Sequence, residues 1–163
     1  MGIISNFIKR LFRNEKVRII GKHTLTFRDA NSGRILRQKK YSNAVCSIAK
    51  IMIAQRLAQT GNDCNITYCA LGTGAFPATP AASTTLVTEL VRKTVTNITS
   101  SSNVVSIATY FGASEGNGVL TEMGYFGEAA TLIVNGTMIN HAAITETKTA
   151  SETLTIQSSF TIS

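Results

Sequence analysis

The most regular alternation of apolar and polar residues runs over 153–162. Leu154, Ile156, Phe160 and Ile162 share one face, while Thr153, Thr155, Gln157, Ser159 and Thr161 share the other. A period of two is the mark of a half-buried strand. The same period starts near Lys22, where Leu25 and Phe27 oppose Thr24 and Thr26. The turn cluster around Asn31–Gly33 then predicts a hairpin that returns over 34–41. Further strands are predicted at 66–71, 92–99, 103–111, 119–127 and 131–139, with turns at 100–103 and 115–118. Ser83 is expected to cap a short helical turn carrying Leu86, Val87, Leu90 and Val91.

Two stretches follow a helical period instead. Ile3, Ile4, Phe7, Ile8, Leu11 and Phe12 fall on one helical stripe, with Lys9, Arg10 and Arg13 outside it. Over 44–59, Val45, Ile48, Ile51, Met52 and Leu57 give a broad apolar face, with Ser42 or Asn43 as the cap and Gly61 as the stop. That helix is expected to be well buried. The elements together predict a mainly β chain: an antiparallel β-sandwich with one packed helix at about 44–59 and an amphipathic amino-terminal helix. Residues 1–16 form the basic amphipathic segment, an anchor or peg. Residues 17–163 form one β-rich sandwich domain.

Charge adds an asymmetry. The first sixty residues hold thirteen Lys/Arg against Glu15 and Asp29, a net +11. The remainder holds Arg92, Lys93 and Lys148 against seven acids, a net −4. A basic front suits an acidic partner or an acidic region of another copy. The hairpin residues Arg28, Arg34, Arg37, Lys39 and Lys40 form the expected basic contact surface.

The catalytic inventory is poor. There are two histidines, His23 and His141, and two aspartates, Asp29 and Asp63. No metalloprotease, nucleophile-elbow, Walker A or calcium-loop pattern occurs. His141 is expected to be a surface or partly packed residue. Gly72-Thr-Gly74 reads as a tight strand exit, because the third glycine of a phosphate loop is missing. Cys46, Cys64 and Cys69 lack zinc-ligand spacing and are expected as small buried hydrophobes. No cofactor and no metal is expected. No apolar run reaches the ~18 residues of a membrane-spanning helix. The amino terminus has neither the charge order of a secretory signal nor, with Asn6, the myristoylation pattern.

Glu122 stands out. Alternation places it with Leu120, Gly124 and Phe126, and a carboxylate among apolar neighbours needs a cation or backbone donors. Arg92 and Lys148 are the expected cations, giving a structural ion pair.

Several short motifs then follow in a characteristic order. Ala70-Leu-Gly-Thr-Gly74 leads into the Pro/Ala/Ser-rich residues 77–83, then Leu86-x-x-Glu89-x-x-Arg92. A strand containing Phe111 precedes Glu122-x-Gly124-x-Phe126, Ile144-x-x-x-Lys148 and the closing alternating strand. In this order, over about residues 23–163, the chain resembles virion structural proteins of tailed bacteriophages, in the group of small tail, baseplate and fibre-attachment proteins. The resemblance implies a non-enzymatic, β-rich adaptor that assembles as a homo-oligomer with other virion proteins. It implies a location in the virion, after assembly in the host cytoplasm. A collar or capsid-associated position is the alternative. Residues 1–16 lie outside the resemblance, and their apolar stripe is expected to contact a partner. A membrane or a nucleic acid would also suit the basic amino-terminal region, but both carry less weight.

Overall fold

The computed structural model describes residues 17–60, 65–127 and 137–163. The predicted amino-terminal helix, Gly61, Cys64 and the stretch 131–136 lie outside the described residues.

The element order is β1 (Ile19–Asp29), β2 (Ile35–Ser42), β3 (Ala44–Val45), α1 (Ser47–Leu57), β4 (Ile66–Gly72), a 3-10 turn (Pro80–Ala82), β5 (Glu89–Thr94), β6 (Asn97–Ser101), β7 (Val104–Phe111), β8 (Gly118–Gly127), β9 (Thr137–Lys148) and β10 (Glu152–Ile162). The strands form two five-stranded antiparallel sheets, β2-β1-β10-β7-β6 and β3-β9-β8-β4-β5. Among the described residues the chain is mainly β with one helix, as its periodicity predicts.

The first and last strands pair along their whole length, from Ile19 opposite Ile162 to Asp29 opposite Glu152. The alternation seen in both strands sets this register, because a one-residue slip would turn Leu25, Phe27, Leu154 and Ile156 outward. These four side chains are fully buried. They pack with Ile107 and Phe111 of β7, and with Leu71, Met123, Tyr125 and Ile144 of the second sheet. Each such side chain contributes roughly 1.5–3 kcal/mol on burial, before ordering costs. A second, smaller core of Cys46, Ala70, Leu86, Phe126 and Met138 lies on the other face of the second sheet.

Several sequence expectations change. The helix spans Ser47–Leu57 and is capped by Cys46 without a side-chain hydrogen bond. Ser42 ends β2, and Ala44 and Val45 pair with His141 and Asn140. The helix is only partly buried: Ala49 and Met52 enter the core, whereas Ile51 is 51% and Leu57 82% exposed. Ile48 packs against the smaller core and Ile53 is half-buried, while the side bearing Ile51 and Leu57 stays open. It stops before Gly61. Gln59 adopts φ 54°, and the amides of Gln59 and Thr60 donate to the carbonyls of Arg56 and Gln55. This is the left-handed closure usually given to glycine.

The helical turn expected after Ser83 is not formed. Pro80–Ala82 make one 3-10 turn with Ser83 as its C-cap, and Leu90 and Val91 belong to β5. β9 runs from Thr137 to Lys148; of the strand expected at 131–139, the described residues 137–139 lie in it. Leu120 and Glu122 do not share an environment. The β8–β9 register shifts between them, so Leu120 joins the inter-sheet core with Met123 and Tyr125, whereas Glu122 faces away.

Candidate functional site

The most concentrated buried polar chemistry on the outer face of the second sheet centres on Glu122. Its side chain is fully buried. Oε1 accepts the amide hydrogens of Gly74 (3.1 Å) and Thr88 (2.8 Å). Oε2 accepts that of Val87 (3.0 Å) and lies 2.8 Å from His141 Nε2. Four donors thus satisfy both oxygens, as a buried carboxylate requires.

These contacts fix the long loop from β4 to β5. Thr73 N–H donates to Thr88 O, closing the loop's neck at 2.9 Å. Thr121 Oγ1 donates to Gly74 O at 2.6 Å. Glycine is required at the neck because the carboxylate and the returning 87–88 segment both crowd it: a Cβ on Gly74 would lie 2.5 Å from Val87 Cβ, and one on Gly72 2.6 Å from Thr88 O. A Cβ on Gly72 or Gly74 would lie 2.6 Å from Glu122 Oε1, far inside van der Waals contact.

The expected ion pair of Glu122 with Arg92 and Lys148 is corrected. Arg92 forms a buried pair with Glu89 at 2.7 Å and lies over the Phe126 ring, 3.9 Å from its centroid. Lys148 Nζ donates to Asn117 Oδ1 (2.8 Å) and Ala113 O (3.2 Å), pinning the β7–β8 turn. Glu122 takes backbone amides and a histidine instead. Backbone donors are present in every sequence and leave no mark on its side-chain pattern.

His141 is fully buried, contrary to the surface or partly packed position expected for it. Nε2–H donates to Glu122, and Nδ1 lies 2.9 Å from Ser83 Oγ. The Phe76 ring meets the imidazole edge-on at 4.8 Å. Hydroxyl, imidazole and carboxylate therefore lie in the order of a hydrolase triad. The environment argues for a strut. His141 is fully buried, and the same carboxylate holds three loop amides as well as the imidazole.

Residues of 70–74, 86–92 and 122–126 meet at this place. Leu86 anchors the loop in the smaller core beside Ala70 and Phe126. Gly124 leaves room for it: a Cβ there would lie 3.4 Å from Leu86 and 2.8 Å from Asn140 O. Glu122, Gly124 and Phe126 are thus one face of β8, shaped to hold the 73–88 loop and Arg92.

The expected basic surface divides. Arg34, Lys39 and Lys40 are exposed, and Arg28 is half-buried, donating to Gly33 O at 3.0 Å. Arg37 is drawn inward. Its guanidinium lies over Phe27, 3.7 Å from the ring centroid, and bonds Glu146 (3.3 Å), Glu152 and the Thr147 carbonyl. The hydrogen bond from Arg37 holds the Glu152 carboxyl below the usual carboxylate range. Arg37 is therefore a clasp between β2 and the β9–β10 corner.

A second buried network joins the sheets. Asn140 Oδ1 accepts the Tyr125 amide at 3.0 Å, which directs Nδ2 at His23 Nε2, 3.3 Å away. His23 Nε2 must then accept, so the ring proton sits on Nδ1 and donates to Ser158 Oγ at 2.7 Å. Ser158 in turn meets Tyr125 Oη at 2.8 Å. Burial lowers the His23 pKa to about 4.

Cys46 and Cys69 are free and buried, and burial pushes their thiols up to about 11 and about 12. They are inert fillers of the cores, not nucleophiles. Among the described residues, no group of three or more His, Cys, Asp or Glu is placed to hold a metal ion. None of the described helices is long and apolar enough to cross a membrane.

An apolar groove opens where the chain enters the sandwich. Val17, Ile19, Ile20, Val45, Ile53 and Leu57 line a concavity of about 700 Å³, rimmed by Arg18 and Lys50. Val17 is 77% exposed and Leu57 82%.

No protein-family model, no curated protein and no solved structure matches the chain.

Proposed function

We propose that the chain is a non-enzymatic virion structural protein of a tailed phage, an oligomeric adaptor in the tail, baseplate or fibre-attachment region. A collar or capsid-associated position would use the same surfaces. The observation that carries the reading is the exposed apolar groove. Large aliphatic side chains clustered on one surface are the signature of a contact with another chain. The apolar stripe of Ile3, Ile4, Phe7, Ile8, Leu11 and Phe12 suits such a groove on a neighbouring copy. Arg34, Lys39 and Lys40 then face an acidic neighbour, contributing register and encounter rate more than affinity. The Glu122 strut fits a module whose loop must hold its shape against a partner.

The test is the mass of the full-length protein by light scattering, beside Leu57→Asp and the double variant Phe7→Asp/Ile8→Asp. A discrete oligomer, reduced to monomer by either variant, supports the reading. An oligomer unchanged by both overturns the groove as its contact. Incorporation of Leu57→Asp into particles at the wild-type level overturns the adaptor role of that surface. A fluorophosphonate probe should leave Ser83 unlabelled. Stoichiometric labelling of Ser83 would replace the non-enzymatic reading with a hydrolase.

A further inference from the structure

The outward face of the β2-β1-β10-β7-β6 sheet is concave and chemically unusual. It encloses about 740 Å³, lined by Lys22, Lys40, Asn97, Thr99, Gln157 and Ser159 among others. Strand alternation turns Lys22, Thr24, Lys40, Ser42, Gln157, Ser159, Ser106 and Asn97 to this side. The only acids in these five strands are Asp29 and Glu152. They pair with each other's backbone at the strand ends, in the inward-facing register of Phe27 and Leu154. The face therefore presents cations, hydroxyls and amides with no carboxylate.

From this we infer a binding site for a uronate-bearing polysaccharide. Its carboxylates would meet Lys22 and Lys40, and its hydroxyls would meet the Ser, Thr, Asn and Gln side chains.

The two lysines are cross-strand diagonal neighbours, since Lys22 is opposite Ser42 and Lys40 opposite Thr24. Such positions lie roughly 7–8 Å apart. Neither lysine forms an ion pair with a described carboxylate. Arg28 shares the outward row of Lys22, with its guanidinium turned to the Gly33 carbonyl. Five strands span about 20 Å at ~4.8 Å spacing, and three cations over that width are sparse. Duplex DNA presents a charge about every 1.7 Å and would call for a denser array. A polymer with occasional carboxylates and many hydroxyls matches both the charge spacing and the surplus of neutral groups. Sugar hydroxyls donate and accept at once, as do Ser, Thr, Asn and Gln. Tyr110, 44% exposed, stands in the same outward row of β7 as Ser106 and Ala108. It offers a ring against which a sugar can pack.

Lys39 provides an internal control. Its Cα pairs with Leu25, so it projects to the opposite side of β2 from Lys40. The inference shares Lys40 with the basic surface of the assembly reading but uses neither the apolar groove nor residues 1–16, so the Leu57→Asp and Phe7→Asp/Ile8→Asp variants test that reading separately.

The experiment is fluorescence anisotropy of the full-length protein with labelled polygalacturonate, beside neutral dextran and a random DNA duplex. Saturable polygalacturonate binding is expected, with dextran at least tenfold weaker. Lys22→Gln/Lys40→Gln should weaken it at least tenfold, and Asn97→Ala/Gln157→Ala should weaken it severalfold. The charge-matched pair Arg34→Gln/Lys39→Gln should change it less than twofold. No binding of polygalacturonate overturns the inference. Equal weakening by the two charge-matched pairs reduces it to general attraction by a basic protein. Tighter binding of DNA, lost in Lys22→Gln/Lys40→Gln, would reassign the face to nucleic acid.

Discussion

The amide of Gly74 and the carboxylate of Glu122, forty-eight residues apart in the chain, meet at 3.1 Å inside the protein. The contact decides the residue type at both ends. Glycine leaves space for the carboxylate oxygen, and the carboxylate satisfies an amide that the loop would otherwise bury unpaired.

Glu122→Gln is therefore expected to destabilise the protein by about 2–4 kcal/mol. The amide has the same shape, but in either orientation its NH2 faces a backbone N–H, that of Val87 or those of Gly74 and Thr88. Gly74→Ala should cost about 1–3 kcal/mol by overpacking the same place. Urea unfolding measures both. Limited proteolysis should show faster cleavage within 73–88 for each variant. Wild-type stability of Glu122→Gln would mean that the carboxylate does not hold the loop.

Arg37→Ala should be worse than a surface substitution. It leaves Glu146 and Glu152, each 7% exposed, without their cation, and uncovers the Phe27 ring. The expected loss is about 3 kcal/mol. Arg37→Lys should recover less than half, because an ammonium cannot lie flat on the ring while reaching both carboxylates. Amide exchange in β2 should accelerate before that of β10, since β2 has a strand on one side only. Equal exchange in wild type and Arg37→Ala would remove the clasp.

How far the sequence revealed these features depended on what kind of partner each residue takes. The strict alternation of β10 and β1 was legible because both strands have one buried face. Glu122 was legible as a buried carboxylate, but its partners were not. Three are backbone amides, and His141 carries no distinguishing pattern around it. Arg37 looked like its exposed neighbours, since nothing local reveals that Phe27 lies beneath it. The helix over Ser47–Leu57 was legible from its period, but its exposure was not. Ile51 and Leu57 look like core residues until that side of the helix is seen to stay open.

Gln59→Gly should stabilise the protein. Gln59 holds φ 54° to close α1, a conformation that costs a residue with a Cβ roughly 1 kcal/mol more than glycine. Glycine loses part of this gain through the greater freedom of the unfolded chain. A net rise of about 0.5 kcal/mol is expected, read as a higher urea midpoint at unchanged slope. A lower midpoint would mean that the Gln59 side chain contributes more than its backbone strain costs.

His23 sets the acid limit. Its pKa falls from the ordinary 6.5 to about 4 in the folded protein, because burial disfavours the charged ring. The Asn140 Nδ2 group opposes protonation further, since a protonated Nε2 would place two donors face to face. Between pH 6.5 and 4 the unfolded chain binds more protons at this residue than the folded one does. Its contribution is thus complete above pH 6.5 and lost as pH falls toward 4, at up to about 1.4 kcal/mol per pH unit and ~3 kcal/mol in all. The carboxyls of Asp29, Glu115 and Glu152, all held below their ordinary values, extend the loss to lower pH. His23→Gln keeps a neutral hydrogen-bonding group at every pH. Its stability should start lower at pH 7 and run flatter to pH 4.5, so that the two unfolding curves converge. Parallel curves over that range would assign the acid sensitivity elsewhere.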